Sequence, residues 1–348
     1  MLQDTIFVGL DYASAFVQVC ILDGSGEVLA NRRVDNCWQA LADFAGRFGC
    51  NVRAGIESCT GASDLADELV HRAGWSLDLA HPGYVHRMKQ SPDKSDYTDA
   101  RMLADLVRVG YLPRVWLAPQ AVRELRRLTR HRQDLVNRRR ALKLKASALL
   151  RDHRVVSPKG RTWTKRWRVH SQWWRAWLKE TSLPEQSRWI IDEITEELDY
   201  LNTRIQRVES RLTEATENDP MVQKLLSLHG VGLVTACVLR AEIGDPHRFH
   251  NGKQLSRFCG LTPRNASSGV RQADAGLIKA GNRYLRSTVI ETAHRLVRFD
   301  ARWSAFALKL TKHKGKPKCV AVTAVANRWL RGLYYELVAL PAPTSVAA

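Results

Sequence analysis

The chain has 348 residues, with 54 Lys plus Arg against 35 Asp plus Glu and a formal net charge of +19. That length suits two or three domains, and a balance so basic points to a polyanionic partner, nucleic acid before any other. No stretch stays apolar for the ~20 residues a spanning helix requires, and Met1-Leu2-Gln3-Asp4 lacks the start of a secretory signal, so a cytoplasmic protein with no membrane association is expected. The seven cysteines are scattered, odd in number and never spaced C-x-x-C, and read as reduced core residues rather than disulfides or zinc ligands.

The first hundred residues alternate between strand and helix patterns. Thr5 to Leu10 is a short apolar strand ending at Asp11, Phe16 to Leu22 is a second, and the turn Asp23-Gly24-Ser25-Gly26 leads to a third at Glu27 to Arg33. A helix over Cys37 to Phe48, a strand over Val52 to Ile56 that stops at Glu57, a helix over Ala62 to Ala73 and a strand over Ser76 to Ala80 follow. The order predicts an α/β layer fold with helices packed on a mixed sheet. Lys94-Ser95-Asp96-Tyr97-Thr98-Asp99-Ala100-Arg101 then opens a helix that runs on through Met102 to Val107.

Asp96 and Asp99, three apart, share one face of that helix. Asp11 and Glu57 each stand where a strand ends, and if those strands are neighbours their carboxylates project from one edge. Four gathered carboxylates repel one another unless a divalent cation holds them, and two Mg²⁺ ions bridging a phosphodiester suit in-line phosphoryl transfer. The plainer readings are acids favouring the positive end of a helix for Asp96 and Asp99, a turn residue for Asp11 and a helix-capping acid for Glu57.

From Ala121 to Leu150 the apolar residues Leu125, Leu128, Leu135, Leu142 and Leu149 fall largely on a heptad seam among basic residues, including Arg138, Arg139 and Arg140. Arg123 to Lys179 holds 19 Lys or Arg against three acids, with Trp163, Trp167, Trp173, Trp174 and Trp177 interleaved. Guanidinium groups neutralise phosphates and indoles stack on unpaired bases, a composition that suits RNA, although Trp167, Trp174 and Trp177 also read as a packed helix face. Ile191, Ile194, Leu198, Leu201, Ile205, Val208 and Leu212 form a strict a/d seam that must pack on another helix, with the 121–150 helix its natural partner, within the chain or across a dimer.

After Asp219-Pro220, the run Leu225 to Ala236 with its Gly230-Val231-Gly232 turn is similar to a helix-hairpin-helix, whose second helix offers amides to a phosphate; a simple helical hairpin fits as well. Phe258-Cys259-Gly260-Leu261-Thr262-Pro263-Arg264-Asn265-Ala266-Ser267-Ser268-Gly269 runs on to Lys279-Ala280-Gly281-Asn282-Arg283-Tyr284-Leu285-Arg286. A serine hydroxyl among Arg264, Arg271, Lys279, Arg283 and Arg286 could attack phosphorus while the cations stabilise the developing charge; composition alone equally allows a phosphate-contacting loop. Helices are predicted over Asn282 to Leu296 and Val320 to Val338, separated by a basic loop from Lys309 to Lys318 in which Lys314 and Lys316 contact nucleic-acid backbone.

Gly9-Leu10-Asp11, Ile56-Glu57-Ser58-Cys59-Thr60-Gly61 and the stretch Lys94 to Arg101 resemble the three acidic motifs of the DEDD transposases of bacterial insertion sequences, a family of recombinases guided by a bridge RNA. Gly260-Leu261-Thr262-Pro263-Arg264, the following Ser268-Gly269, Lys279-Ala280-Gly281 and Leu285-Arg286 resemble that family's C-terminal motif. The resemblance implies an α/β ribonuclease-H-like (RuvC-like) domain over 1–118, a helical coiled-coil middle over 119–218 and a mainly α C-terminal transposase domain over 219–348. It also implies that Asp11, Glu57, Asp96 and Asp99 bind Mg²⁺ or Mn²⁺, that Ser268 is the nucleophile, and that the partners are donor and target DNA, an element-encoded guide RNA and further copies of the chain, as a dimer or tetramer near the nucleoid. A metal-dependent junction nuclease using water, and a non-catalytic nucleic-acid-binding protein, are the alternatives.

Overall fold

The computed structural model describes residues 3–88, 95–156, 172–265 and 274–341, which fall into two compact units, Met1–Gln120 and Ala121–Ala348.

The first unit is built on a six-stranded sheet. β1 (Gln3–Tyr12), β2 (Phe16–Leu22) and β3 (Val28–Asp35) form an antiparallel meander, followed by α1 (Trp38–Ala45), β4 (Gly49–Glu57), α2 (Ala62–Ala73), β5 (Ser76–Ala80), α3 (Pro82–Met88), α4 (Asp96–Arg108) and β6 (Arg114–Val115). The order across the sheet is β3-β2-β1-β4-β5-β6, with β1 parallel to β4 and β4 parallel to β5. The apolar run of β1 is nearly continuous because both of its faces are covered. Ile6, Val8 and Leu10 pack with Leu41 and Phe44 of α1 and Leu65 and Leu69 of α2. Phe7, on the opposite face, packs against Cys20, Leu22 and the α4 residues Ala100 and Ala104.

Helix α4 approaches that second face unusually closely. A Cβ on Gly9 would overlap the Ala100 carbonyl oxygen and the Ala104 backbone nitrogen, and one on Gly55, the register partner of Gly9, would press on Val107 at 2.6 Å. The mixed α/β layer expected from the sequence is therefore present. Only α3 and β6 lack a counterpart in that expectation: the first has seven residues and the second two, too few for periodicity to show.

The second unit contains α5 (Gln120–Asp152), α6 (Gln172–Glu180), α7 (Glu185–Thr216), α8 (Pro220–Leu226), α9 (Leu233–Ile243), a short turn at Pro246–Arg248, α10 (Gly252–Cys259), the strand pair β7 (Pro263–Asn265) and β8 (Asp274–Leu277), α11 (Arg283–Phe299), α12 (Ala301–Leu308) and α13 (Lys318–Val338). α5 and α7 pack antiparallel within the chain, Leu135 against Leu201 and Ile205, and Ala146 and Leu150 against Ile191, Ile194 and Leu198. Trp177 is partly buried against the second of these clusters, whereas Trp163 and Trp167 lie outside the described residues. The remaining core joins α8 to α13 around Leu225, Leu239, Leu255, Val289, Val325 and Leu330.

Two expectations are corrected. The basic stretch from Lys309 is not a loop throughout, because Lys309–His313 forms a π-helical turn that continues α12, and α12 itself starts on Asp300, whose carboxylate accepts from the Arg302 and Trp303 amides. Of the seven cysteines only Cys20, Cys237 and Cys259 are buried, while Cys37, Cys50, Cys59 and Cys319 are exposed. Among the described residues no helix is long and apolar enough to cross a membrane.

Because α4 rests on bare backbone at Gly9, Gly9→Ala is expected to push the helix off the sheet and destabilise the first unit by about 1–3 kcal/mol, the usual overpacking range. Its unfolding midpoint in urea measures this, and an unchanged midpoint would refute the close approach.

Candidate active site

Strand alternation places the predicted acids of the sheet. Leu10 and Ile56 are register partners facing α1 and α2, so Asp11 and Glu57, one step further on two parallel neighbours, both face the α4 side. Asp11 pairs with Gln18 of β2, and Gln18 pairs with Arg33 of β3. One row, Glu57, Asp11, Gln18 and Arg33, thus crosses four strands at the same level. Gln18 is buried and donates its amide to Asn31 Oδ1 at 2.7 Å, and Asn31 in turn donates to the Tyr97 carbonyl of α4 at 3.0 Å.

The first turn of α4 carries Asp96 and Asp99, both half-buried. Asp96 pairs with Arg33 at 3.5 Å, at the far end of the row from Glu57. At about 4.8 Å between neighbouring strands, that places its partner two strands away from Asp11. Among the described residues, no three Asp, Glu, His or Cys side chains stand close enough together to hold a metal ion. Asp11 and Glu57 stand on neighbouring strands at one end of the sheet and Asp96 lies over Arg33 in the same row, but no three of the acids converge. Carboxylates are nevertheless the donor type that Mg²⁺ and Mn²⁺ prefer, and in that chemical sense the set fits a hard divalent cation.

The Cys59 thiol reports on the same edge. Burial raises its pKa first, a hydrogen bond from the Ala62 amide opposes this, and the negative charges of Glu57 and Asp11 raise it further. Both carboxylates therefore act on one exposed sulfur. Gly61, with φ of +93°, packs directly on the Tyr12 ring, which holds the Glu57-to-Gly61 turn against the end of β1.

In the second unit, β7 pairs antiparallel with β8, Pro263 with Leu277 and Asn265 with Asp274. Ser267, Ser268 and Arg271 lie between these strands in the sequence and outside the described residues. Of the predicted cations, Arg264, Lys279 and Arg283 are exposed, as are Arg138, Arg140, Lys314 and Lys316. Two are engaged internally. Arg286 donates to the Ile278 carbonyl at 2.8 Å, bracing the strand pair, and Arg139 donates to Asn202 Oδ1 at 2.9 Å, with burial and neighbouring Arg132 lowering its pKa.

A family model described as "Transposase" and specific for the DEDD, IS110 type matches residues 8–154, and one described as "Transposase IS116/IS110/IS902 family" matches residues 222–308. The chain belongs to the IS116/IS110/IS902 transposase family. Among its relatives are a probable family 20 transposase of Pseudomonas aeruginosa, 28% identical over 94% of this chain and 88% of the relative. A second is the transposase for insertion sequence element IS1111A of Coxiella burnetii, 27% identical over 97% and 87%. The transposase for insertion sequence element IS1328 of Yersinia enterocolitica is 25% identical over 95% and 96%. All four acids fall within the first matched stretch and Ser268 within the second. A transposase of this family binds DNA, cuts it and recombines it.

Sequence reading missed Gln18 and Arg33, whose place in the row depends on strand pairing that no local pattern encodes. It also missed Glu242 and Arg130, which belong to a buried cluster in the second unit.

Since negative charge on Asp11 and Glu57 raises the Cys59 pKa, removing either charge lowers it and leaves more thiolate at pH 8. Asp11→Asn and Glu57→Gln should each speed alkylation of Cys59 relative to the exposed Cys37 and Cys319. Mass spectrometry after a timed maleimide pulse measures the rates, and unchanged rates would contradict the shared edge.

Proposed function

We propose that this transposase is an RNA-guided, divalent-metal-dependent recombinase in which Asp11, Glu57, Asp96 and Asp99 hold Mg²⁺ or Mn²⁺ and Ser268 is the nucleophile. The observation that carries the reading is the acid edge: two parallel neighbouring strands ending in carboxylates on one face, covered by the helix whose first turn carries two more. A bound cation supplies charge neutralisation at a scissile phosphate. Arg33 is then a placeholder on Asp96, occupying with a guanidinium the carboxylate that a metal ion would claim.

In the proposed chemistry the Ser268 hydroxyl oxygen attacks phosphorus, a serine–phosphate bond forms, one backbone P–O bond breaks, and the serine proton ends on the released DNA hydroxyl. Arg264, Arg271, Lys279 and Arg283 balance the charge that builds on the phosphoryl oxygens. Bond count is preserved, so attack by the hydroxyl of a second strand on the phosphoserine reseals DNA in exchanged order without an energy source. The exposed Arg138 and Arg140 of α5, with Lys314 and Lys316, neutralise backbone phosphates of DNA or of the guide RNA. The protein acts as a homo-oligomer, dimer or tetramer, in the bacterial cytoplasm at the nucleoid.

The test is a denaturing gel of protein incubated with Mg²⁺, the RNA encoded beside its gene and labelled donor DNA. A labelled protein–DNA adduct is expected for the wild type and for Ser267→Ala, and should vanish in Ser268→Ala. Asp11→Asn should reduce adduct and cleavage together by at least a hundredfold, in the range typical of losing a principal electrostatic contributor, roughly 10²–10³. Cleavage without adduct, unaffected by Ser268→Ala, would refute the serine and favour a water-using nuclease.

A further inference from the structure

Glu242, near the C-terminal end of α9, is 1% exposed. A carboxylate so deeply buried is tolerated only if its oxygens are satisfied by charge-assisted hydrogen bonds. Arg130 of α5 supplies two, Nε to Oε1 at 3.0 Å and Nη2 to Oε2 at 3.1 Å. Asn282 supplies a third through Nδ2 at 2.7 Å, and Arg126, which also donates to the Ala241 carbonyl, stands at 4.0 Å. Arg248, from the turn after α9, donates to the neighbouring Ile243 carbonyl at 3.0 Å.

Asn282 links this cluster to the strand pair. Its side-chain Oδ1 accepts from the Leu285 amide and caps α11, while its backbone N–H donates to the Phe258 carbonyl at 2.8 Å. Immediately before it, Gly281 lies against the Gly260 backbone so closely that a Cβ on either glycine would collide with the other segment. The Ile278 amide donates to the Thr262 carbonyl at 3.1 Å, so residues 258–262 and 278–282 form the paired foot from which β7 and β8 rise. A second tie runs in parallel, from the Tyr284 hydroxyl to the Thr129 carbonyl of α5 at 3.0 Å. Both capacities of the Asn282 amide are used, one to cap a helix and one to reach Glu242.

We infer that Glu242 is a positioning residue, which acts through Asn282 to fasten to α5 the foot of the β7–β8 pair, the two strands between which Ser268 falls in the sequence. The inference rests on the reading of Ser268 as nucleophile, but the fastening itself has an independent readout. Glu242→Gln strips the counter-charge from buried arginines and is expected to unfold the unit, so the test turns on Asn282. Serine and aspartate both cap helices well, yet a serine that caps has no second polar atom to extend to Glu242, and an ionised aspartate has no donor and sets a second negative charge against Glu242.

The experiment compares full-length wild type, Asn282→Ser and Asn282→Asp at pH 8 by amide hydrogen exchange, DNA affinity and single-turnover strand cleavage. Protection of the Leu261, Ile278 and Asn282 amides should fall at least tenfold in Asn282→Ser and further in Asn282→Asp, while α13 amides keep theirs. Cleavage should slow in the same order, by roughly ten- to a hundredfold for a misplaced reacting group, with DNA affinity unchanged. Asn282→Asp matching the wild type would overturn the inference, because capping alone would then explain the residue, and so would protection lost throughout the unit. Selective loss of protection in a protein whose wild type forms no DNA adduct would leave the fastening standing and remove the serine reading.

Discussion

The backbone contact between α4 and β1 is the constraint on which the first unit depends. A helix normally rests on a sheet through side chains on both elements. Here Gly9 removes the side chain from the strand, and the helix answers with Ala100 and Ala104, both fully buried. Dispersion contacts and apolar burial then hold the helix at a distance that no larger residue at Gly9 permits. The first turn of α4 is consequently delivered over the same sheet face to which alternation assigns Asp11 and Glu57. Two acids come from strand ends and two from a helix start, and the Gly9 crossing brings the two sources to one end of one face.

The electrostatics of the chain divide into two populations that composition cannot separate. Some cations are structural: Arg132 donates to Glu209 at 2.6 Å, Arg139 to Asn202, Arg130 to Glu242 and Arg286 to backbone carbonyls. Arg130 combines a side chain 59% exposed with two hydrogen bonds to a buried carboxylate, so exposure alone does not identify a phosphate contact. Others, among them Arg138, Arg140, Lys145, Lys314 and Lys316, stand on the surface. The structural arginines are held because a guanidinium satisfies several acceptors at once in a fixed plane, which suits packing against helices and turns. The surface population supplies the long-range field that attracts a polyanion.

The second unit holds its long helices by two different means. Along α5 and α7 the seam is apolar and repetitive, and it specifies which faces meet. At the junction of α5, α9 and α11 the link is polar and unique: a buried carboxylate with three named hydrogen bonds, beside the Tyr284 tie, where burial pushes the phenol up to about 12 and keeps it a neutral donor. Apolar seams tolerate small shifts in register, whereas a buried charge with directional partners fixes one arrangement.

The succession of strands and helices along the first unit, the acids at two strand ends and the pair of acids on α4 were legible in the sequence, but the order of the strands across the sheet was not. Alternation, turn residues and helical spacing are local properties, and each acid sits at the boundary of an element. The α7 seam was legible for the same reason, since a period of three and four residues states which face is apolar, whereas on α5 the structure buries Val122, Thr129, Ala146, Ser147 and Leu150 beside Leu125 and Leu135 and leaves Leu128, Leu142 and Leu149 only partly buried. The pairing of Arg33 with Asp96, the row through Gln18, the internal commitment of Arg139 and Arg286, and the cluster around Glu242 were decided only by tertiary structure. Each joins residues far apart in the chain, such as Arg130 and Glu242, separated by 112 positions. A charged side chain carries no local mark of whether its partner is another part of the chain or a phosphate. Periodicity, which depends on nearest neighbours, was therefore enough to find the elements and the acids, while the partner of each charge was settled by which strands and helices came to lie side by side.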